Sequence, residues 1–299
     1  MMAKSYRNGI RNNYRGDMPL SEVVLKDIKE ATGDLKRWIL NGFKLPVIVT
    51  WPDYPSKRTT IFKIARLLRY RLTNHLVKDP ALIIYFEDST TGSSEALSKS
   101  YPGRSILNRT CTDISKVKVD QMHLDVFGYN TFIDPTKYAG KAVVKSDINA
   151  LHDGQIVNCP LIGEPDGSKV YQVLIDNGYD ESLVMDYRVP VVFGKIPHVY
   201  MKFKHYDFRF TNEVRFTVYK ETDDVLCPEE QKLIKEFALK MGGDFCELDV
   251  LRNNTDAKVY VIDVNKTPYG PPFGLREQDV TQAIQNLADV INDHVQGPA

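Results

Sequence analysis

The residues best equipped for chemistry lie near the C-terminal end, in Glu247-Leu248-Asp249-Val250-Leu251 and in Val259-Tyr260-Val261-Ile262-Asp263-Val264-Asn265, which follows the polar turn Asn253-Asn254-Thr255-Asp256. Side chains alternate along a strand, so Glu247, Asp249 and Leu251 share one face of the first segment. Asp263 and Asn265 share one face of the second. Pairing the two as a hairpin with these faces together brings three carboxylates and an amide to one end. Hard oxygen donors of this kind suit Mg²⁺, which takes one or two carboxylates and completes its shell with waters and nucleotide phosphates. The competing arrangement is a hairpin whose acids simply face solvent.

A second group is Tyr54-Pro55-Ser56-Lys57-Arg58-Thr59-Thr60, which follows a strand and opens a helix. Free N–H groups, hydroxyls and two cations at a helix start suit an anion, so Lys57 and Arg58 would hold a phosphate or carboxylate of a substrate. A solvated, well-capped helix start accounts for the same residues. The chain has no G-x-x-x-x-G-K-[ST] and no G-x-G-x-x-G, so a nucleotide would need another architecture. Six histidines lack H-x-x-x-H spacing, and four cysteines lack C-x-x-C, which argues against a zinc site and a disulfide framework and for buried free thiols.

The elements that must position these groups are legible from periodicity. Residues 21–41 read as a helix and 46–50 as a buried strand. With Ser56 as N-cap, a helix runs to Leu72, its apolar residues Ile61, Ile64, Ala65, Leu68 and Leu72 on one face. Residues 81–86 form a second strand, completing a parallel strand-helix-strand unit. Finer-grained α+β structure follows: a helix over 113–127 and strands at 141–146, 170–175, 188–193 and 198–203. Pro228 to Met241 is a helix with Pro in its first turn, early acids, late lysines and Gly242-Gly243 at its end. The two acidic strands come next, and a helix over 279–294 closes the chain. The fold class is α/β followed by α+β.

Composition bounds the partners. The 299 residues carry 39 Lys+Arg and 39 Asp+Glu, yet residues 1–80 hold sixteen basic and seven acidic residues, leaving 23 and 32 beyond, a split of +9 and −9. With 42% hydrophobic and 26% charged residues, the chain is an ordinary globular one and not disordered. No apolar run is long enough for a membrane helix and no signal-like h-region follows the N-terminus, so no membrane partner and a cytoplasmic location are expected. The cations Lys63, Arg66, Arg69 and Arg71 form no clean stripe, so nucleic acid is not the expected partner of the basic half. A homodimer is compatible with this reading.

Over residues 110–275 the chain resembles the ATP-grasp superfamily, in which an acid on one strand and an acid-x-Asn on the next hold two magnesium ions against ATP. The acidic hairpin matches this, and other parts follow in the family's order. Asp113-Ile114-Ser115-Lys116 resembles the opening of the small lid domain, and Val143-Val144-Lys145-Ser146 the lid strand whose lysine reaches the phosphates. Ala150-Leu151-His152-Asp153-Gly154 sits at the flexible loop, where His152 would close over the γ-phosphate. Gln172-Val173-Leu174-Ile175-Asp176 resembles the hinge, with backbone for adenine at Ile175 and an acid for ribose at Asp176. Asp186-Tyr187-Arg188 matches the strand that opens the large domain, and Lys202 and Lys204 lie where further phosphate-binding cations stand.

The resemblance thus implies ATP and two Mg²⁺ ions, with Asp249, Asp263 and Asn265 as metal ligands. Lys116, Lys145, His152, Gln172, Ile175, Asp176, Arg188, Lys202 and Lys204 would bind nucleotide, with Lys145, Arg188 and Lys202 also acting in catalysis. It implies an ATP-grasp fold preceded by an α/β domain: a basic arm over 1–20, a substrate-side domain over 21–109, a small lid subdomain over 110–180 and a large subdomain over 181–299.

The default reaction is carboxylate–amine ligation through an acyl phosphate, and Leu248 to Arg252 is similar to the ribosomal-protein glutamate ligase branch. Against this, Asp263-x-Asn265 stands where ligases usually have Glu-x-Asn and is similar to inositol-phosphate kinases. Glu247 stands where D-alanine:D-alanine ligases have an arginine, for which Arg209 or Arg252 would be the substitutes. A kinase acting on a hydroxyl of a small anionic or polyol substrate is the runner-up, and a non-catalytic ATP-binding protein comes third. The acceptor is expected to be an anionic small molecule, peptide or sugar.

Overall fold

The computed structural model describes residues 19–40 and 45–296; apart from its last two residues, the expected basic arm lies outside these. Helix α1 (Leu20–Leu40) precedes a parallel three-stranded sheet built from β1 (Val47–Pro52), β2 (Arg71–Thr73) and β3 (Leu82–Phe86), in the order β2-β1-β3. Helix α2 (Thr60–Leu67) covers one face through Ile61, Ile64 and Ala65, and the short helix α3 (Glu95–Ser100) covers the other through Leu97. Burial of these aliphatic side chains, each worth about 1.5–3 kcal/mol against exposure, fixes the layer.

Helix α2 is shorter than periodicity predicts. It ends at Leu67, Arg69 takes a left-handed φ of 61°, and the Tyr70 amide reaches back to the Ala65 carbonyl at 2.8 Å. The chain then turns into β2, whose Leu72 pairs with Ile48 and packs against the same core. Leu72 therefore reaches that core from a strand instead of a helix. Nor is Ser56 the cap: Thr59 holds that position without a side-chain bond, while the Ser56 carbonyl accepts from the Thr59 amide.

Helix α4 (Lys116–Phe127) is capped by Ser115, whose side chain accepts from the Lys118 amide, and ends at Gly128 with φ 77°. An antiparallel sheet follows, in the order β5-β4-β6, from β4 (Gly140–Ser146), β5 (Gln155–Cys159) and β6 (Lys169–Val173). The third sheet, also antiparallel, has the order β11-β10-β7-β8-β9. Its strands are β7 (Leu183–Val192), β8 (Val199–His205), β9 (Phe216–Lys220), β10 (Phe245–Arg252) and β11 (Val259–Asn265). Strands β2, β5 and β9 carry too little apolar alternation to be read from sequence.

Helix α5 (Pro228–Met241) and α4 cover one face of this third sheet, burying Val119, Ile234, Phe237 and Met241 against Val189, Val191, Leu248, Val250 and Val261. Helix α6 (Glu277–Gln296) packs Ile284, Leu287 and Ile291 into the core of the first sheet. Of the thiols, Cys111 and Cys246 are buried as expected, Cys159 is half-buried and Cys227 is exposed; all four are free. Among the described residues, no helix is long and apolar enough to cross a membrane.

Candidate functional site

Because Leu248 and Val250 of β10 point into the core under α4 and α5, alternation turns Glu247 and Asp249 to the opposite face. The antiparallel register of β10 and β11 places Glu247 opposite Asn265 and Asp249 opposite Asp263, with a bulge immediately after Asp249. Asp249, Asp263 and Asn265 line a cavity of about 800 Å³ bounded by the second and third sheets, with Lys57, Arg58 and Lys63 closing it from the start of α2. Glu247 does not line it. The expected convergence of three carboxylates is corrected to two, because Glu247 is buried against Arg188, 3.1 Å from the guanidinium Nε.

Cations face these acids. Lys202 of β8 donates to Asp249 Oδ1 at 2.8 Å, and Arg188 of β7 lies 3.4 Å from the same oxygen. Burial pushes the Asp249 carboxyl up, but Arg188 and Lys202 outweigh it and hold the group well below the carboxylate range. Asp263 goes the other way: burial and then the Asp249 charge raise it. Burial lowers the Lys145 ammonium of β4 to about 8, against the pull of Asp263. Burial likewise lowers Lys202, against Asp249.

Asp263 Oδ1 is buried without a hydrogen-bond partner, a costly state for a carboxylate oxygen. Two acids and an amide with one orphaned oxygen fit a magnesium ion that keeps waters and phosphate oxygens for its other positions. Among the described residues, no three His, Cys, Asp or Glu side chains form a ready cage.

The remaining expected residues divide between cavity and elsewhere. Lys116, Lys145, His152, Gln172, Ile175, Arg188, Lys202 and Lys204 line it. Lys116 Nζ donates to the Ile148 carbonyl at 2.9 Å, fastening the 147–154 loop over the cavity, and His152 Nε2 lies 2.8 Å from Asn212 Nδ2. Burial and Lys204 lower the His152 pKa. Gln172 donates to Thr131 Oγ1 at 2.5 Å, and Lys204 pairs with Asp186 at 3.0 Å. Arg209 also lines the cavity, but its guanidinium is bound to the Ile175 carbonyl and to Asn177 Oδ1 at 3.2 and 2.8 Å.

Two expected residues are not brought to the site. Asp176 is exposed outside the cavity, its carboxylate accepting from the Gly178 amide at 3.2 Å. Arg252 lies on the α5 side of the sheet, paired with Glu230 at 2.6 Å and stacked over Tyr187; it stands three residues after Asp249, and alternation along β10 turns an odd spacing to the opposite face. Lys57 and Arg58 do line the cavity, Lys57 paired with Asp27 of α1 and Arg58 over the Tyr269 ring at 5.6 Å. Gly270-Pro271-Pro272-Phe273 forms the adjoining wall.

Sequence reasoning missed Lys63, whose ammonium donates to the Gly270 carbonyl inside the cavity, and Asp88, at the end of β3. Neither belongs to a spaced motif. Asp186, Asn177 and Thr131 are further lining groups, of which Asp186 was legible beside Arg188 in Asp-x-Arg.

No family model matches the chain, and no curated protein matches it. Among solved structures, it is similar to the ATP-grasp ligase PsnB complexed with a minimal precursor, with TM-score 0.55 and 13% identity over 85% of this chain and 99% of that one. It is also similar to PsnB complexed with minimal precursor, Mg and ADP (TM-score 0.53, 15% identity, 84% and 98% covered). A third similar structure is D-alanine–D-alanine ligase from Bacillus anthracis complexed with ATP (TM-score 0.51, 14% identity, 84% and 97% covered). At these identities the likeness concerns the fold: this chain has the α+β ATP-grasp fold.

Proposed function

We propose that the chain is an ATP- and Mg²⁺-dependent carboxylate–amine ligase acting on an anionic acceptor. The observation that carries this reading is the convergence in one cavity of Asp249, Asp263 and Asn265 with the cations Lys145, Arg188 and Lys202. Phosphoryl transfer needs positioning and charge stabilisation more than covalent help from the protein, with metal on one side of the polyphosphate and cations on the other. The ligand complexes of the similar structures, ATP with D-alanine–D-alanine ligase and Mg, ADP and precursor with PsnB, support the same use here.

Asp249, Asp263 and Asn265 would hold the magnesium, which would supply positive charge against the phosphates. Lys145 and Lys116 of the lid side and Lys202 and Lys204 of β8 bind phosphate oxygens. The 147–154 loop excludes water, which matters because an acyl phosphate hydrolyses if water reaches it. Gln172 and the hinge backbone at Ile175 hold the base. Arg58, Lys57 and Lys63 bind the acceptor's anionic group beside the 270–273 wall. A peptide acceptor is in keeping with the precursor bound by PsnB.

Incubation with Mg-ATP, candidate carboxylate acceptors and hydroxylamine tests this. ADP release with a hydroxamate product is the expected result, since hydroxylamine intercepts an acyl phosphate. A stable phosphorylated alcohol would instead assign a kinase, and no ADP release with any acceptor despite tight ATP binding would leave a non-catalytic nucleotide-binding role.

A further inference from the structure

Glu247 is the one acid within strands β10 and β11 that the proposed chemistry does not use. Its side chain is on the cavity-side face of β10 but is only 1% exposed. Oε2 meets Arg188 Nε at 3.1 Å, and apart from this ion pair neither atom has a hydrogen-bond partner. Oε1 accepts from the Thr60 hydroxyl at 3.5 Å, at the first residue of α2. The carboxylate is boxed in: a Cβ on Gly270 would stand 3.1 Å from Oε1. Arg188 stands between two acids, Glu247 at 3.1 Å and Asp249 at 3.4 Å, while Asp249 Oδ1 also receives Lys202 at 2.8 Å.

We propose that Glu247 is the positioning residue of this site: it shares the Arg188 Nε with Asp249 and so holds the guanidinium in place, aimed at the terminal phosphoryl group. The inference rests on the ATP-dependent reading given above. Two cations balance two anions here, Glu247 and Lys202 buried, Arg188 and Asp249 half-buried. Removing one anion would leave Arg188 with only Asp249 to pair with, because an unpaired buried charge is far costlier than a shared one. Arg188 would then turn from the terminal phosphoryl position toward Asp249 Oδ1, the oxygen that already receives Lys202. A free arginine also samples many rotamers, and a fixed carboxylate on its Nε removes that freedom before the phosphates arrive. Through Thr60 the same carboxylate ties the metal hairpin to α2, so the acceptor side and the phosphate side share one anchor.

The test needs no knowledge of the acceptor. Affinities for Mg·AMPPNP and Mg·ADP are measured separately by calorimetry for the wild type, Glu247→Gln, Arg188→Lys and the double variant, alongside thermal melts. Glu247→Gln is expected to lose about tenfold in affinity for Mg·AMPPNP and less than threefold for Mg·ADP. Arg188→Lys should show the same selective loss, and the double variant should lose no more than either single one. Equal loss for both nucleotides, or loss for neither, overturns the assignment, since a merely structural glutamate would not distinguish a terminal phosphoryl group. If Glu247→Gln does not fold, Glu247→Asp, which keeps the charge but withdraws it by one methylene, is expected to give the same selective loss, and its absence overturns the proposal. A wild type that binds neither nucleotide overturns the ATP reading itself, a result distinguishable from all of these.

Discussion

Two aspartates face each other across β10 and β11, yet their surroundings divide their duties. Asp249 is held ionised by Arg188 and Lys202, whereas burial and Asp249 itself push Asp263 up, and Asp263 keeps one oxygen without a partner. The magnesium ion proposed here would satisfy that oxygen and remove the repulsion between the two acids at once. Asp263→Asn is therefore expected to weaken Mg·ADP binding about tenfold or more and to leave metal-free ADP binding unchanged, as read by calorimetry with and without EDTA. Lys145 makes a second residue-scale prediction. Burial sets its pKa at about 8, so it is charged below that and neutral above. Mg·ADP affinity should be fullest near pH 7 and fall as pH rises through 8 and beyond, while Lys145→Arg, charged throughout, should flatten the profile.

At the scale of elements, the site depends on how strands and helices end. Helix α5 stops at Gly242, which has φ 71°, and a Cβ there would lie 2.8 Å from the Thr110 backbone carbon. Gly242→Ala is expected to cost about 2 kcal/mol or more, from strain and overlap together, and to lower the melting temperature without altering nucleotide selectivity. The Pro228–Met241 helix was readable with its bounds because its start and stop signals are local: Pro in the first turn, early acids and a closing glycine. Helix α2 was overextended because the apolar side chain of Leu72 faces the same core whether it comes from a helix or from β2, and periodicity does not register the left-handed residue at Arg69. The bulge opposite Asp249 likewise has no local signature, and it lets the neighbours Ile262 and Asp263 of β11 both line the cavity; Arg252, by contrast, leaves the cavity by the plain alternation of β10.

For the molecule as a whole, the charge split has a partial structural counterpart. Lys57, Arg58 and Lys63 from the basic half line one part of the cavity, and the acids of the C-terminal half line another. Stability is linked to two other groups. His123 and His198 are fully buried, both ring nitrogens of each without a partner, and burial lowers their pKa values from 6.5 to about 4 and about 3. The unfolded chain takes up these protons first. Their contribution is therefore whole above pH 6.5 and declines as pH falls toward 4, at up to roughly 1.4 kcal/mol per pH unit for each. The melting temperature should fall steeply between pH 6.5 and 4.5. Replacing His123, stacked on Phe127 at 4.2 Å, by Phe should make that fall shallower.

What the sequence by itself determined is whatever depends on neighbours in the chain: the alternation that sets Asp249 opposite the core, the pairing partner Asp263 one turn away, the two ends of α5, and the order along the chain of the strands that carry Lys145, Arg188, Asp249 and Asp263. Only the tertiary structure decided which charges meet. Glu247 joined Arg188 instead of the metal, Arg209 closed on the Ile175 carbonyl, Asp176 turned to solvent, and Lys63 entered the cavity from a helix that carries no motif. The reason is physical. Backbone geometry imposes a period that can be counted along the chain, whereas a buried charge pairs with whichever opposite charge the packing of distant elements leaves within about 4 Å, and that distance is encoded in no local spacing.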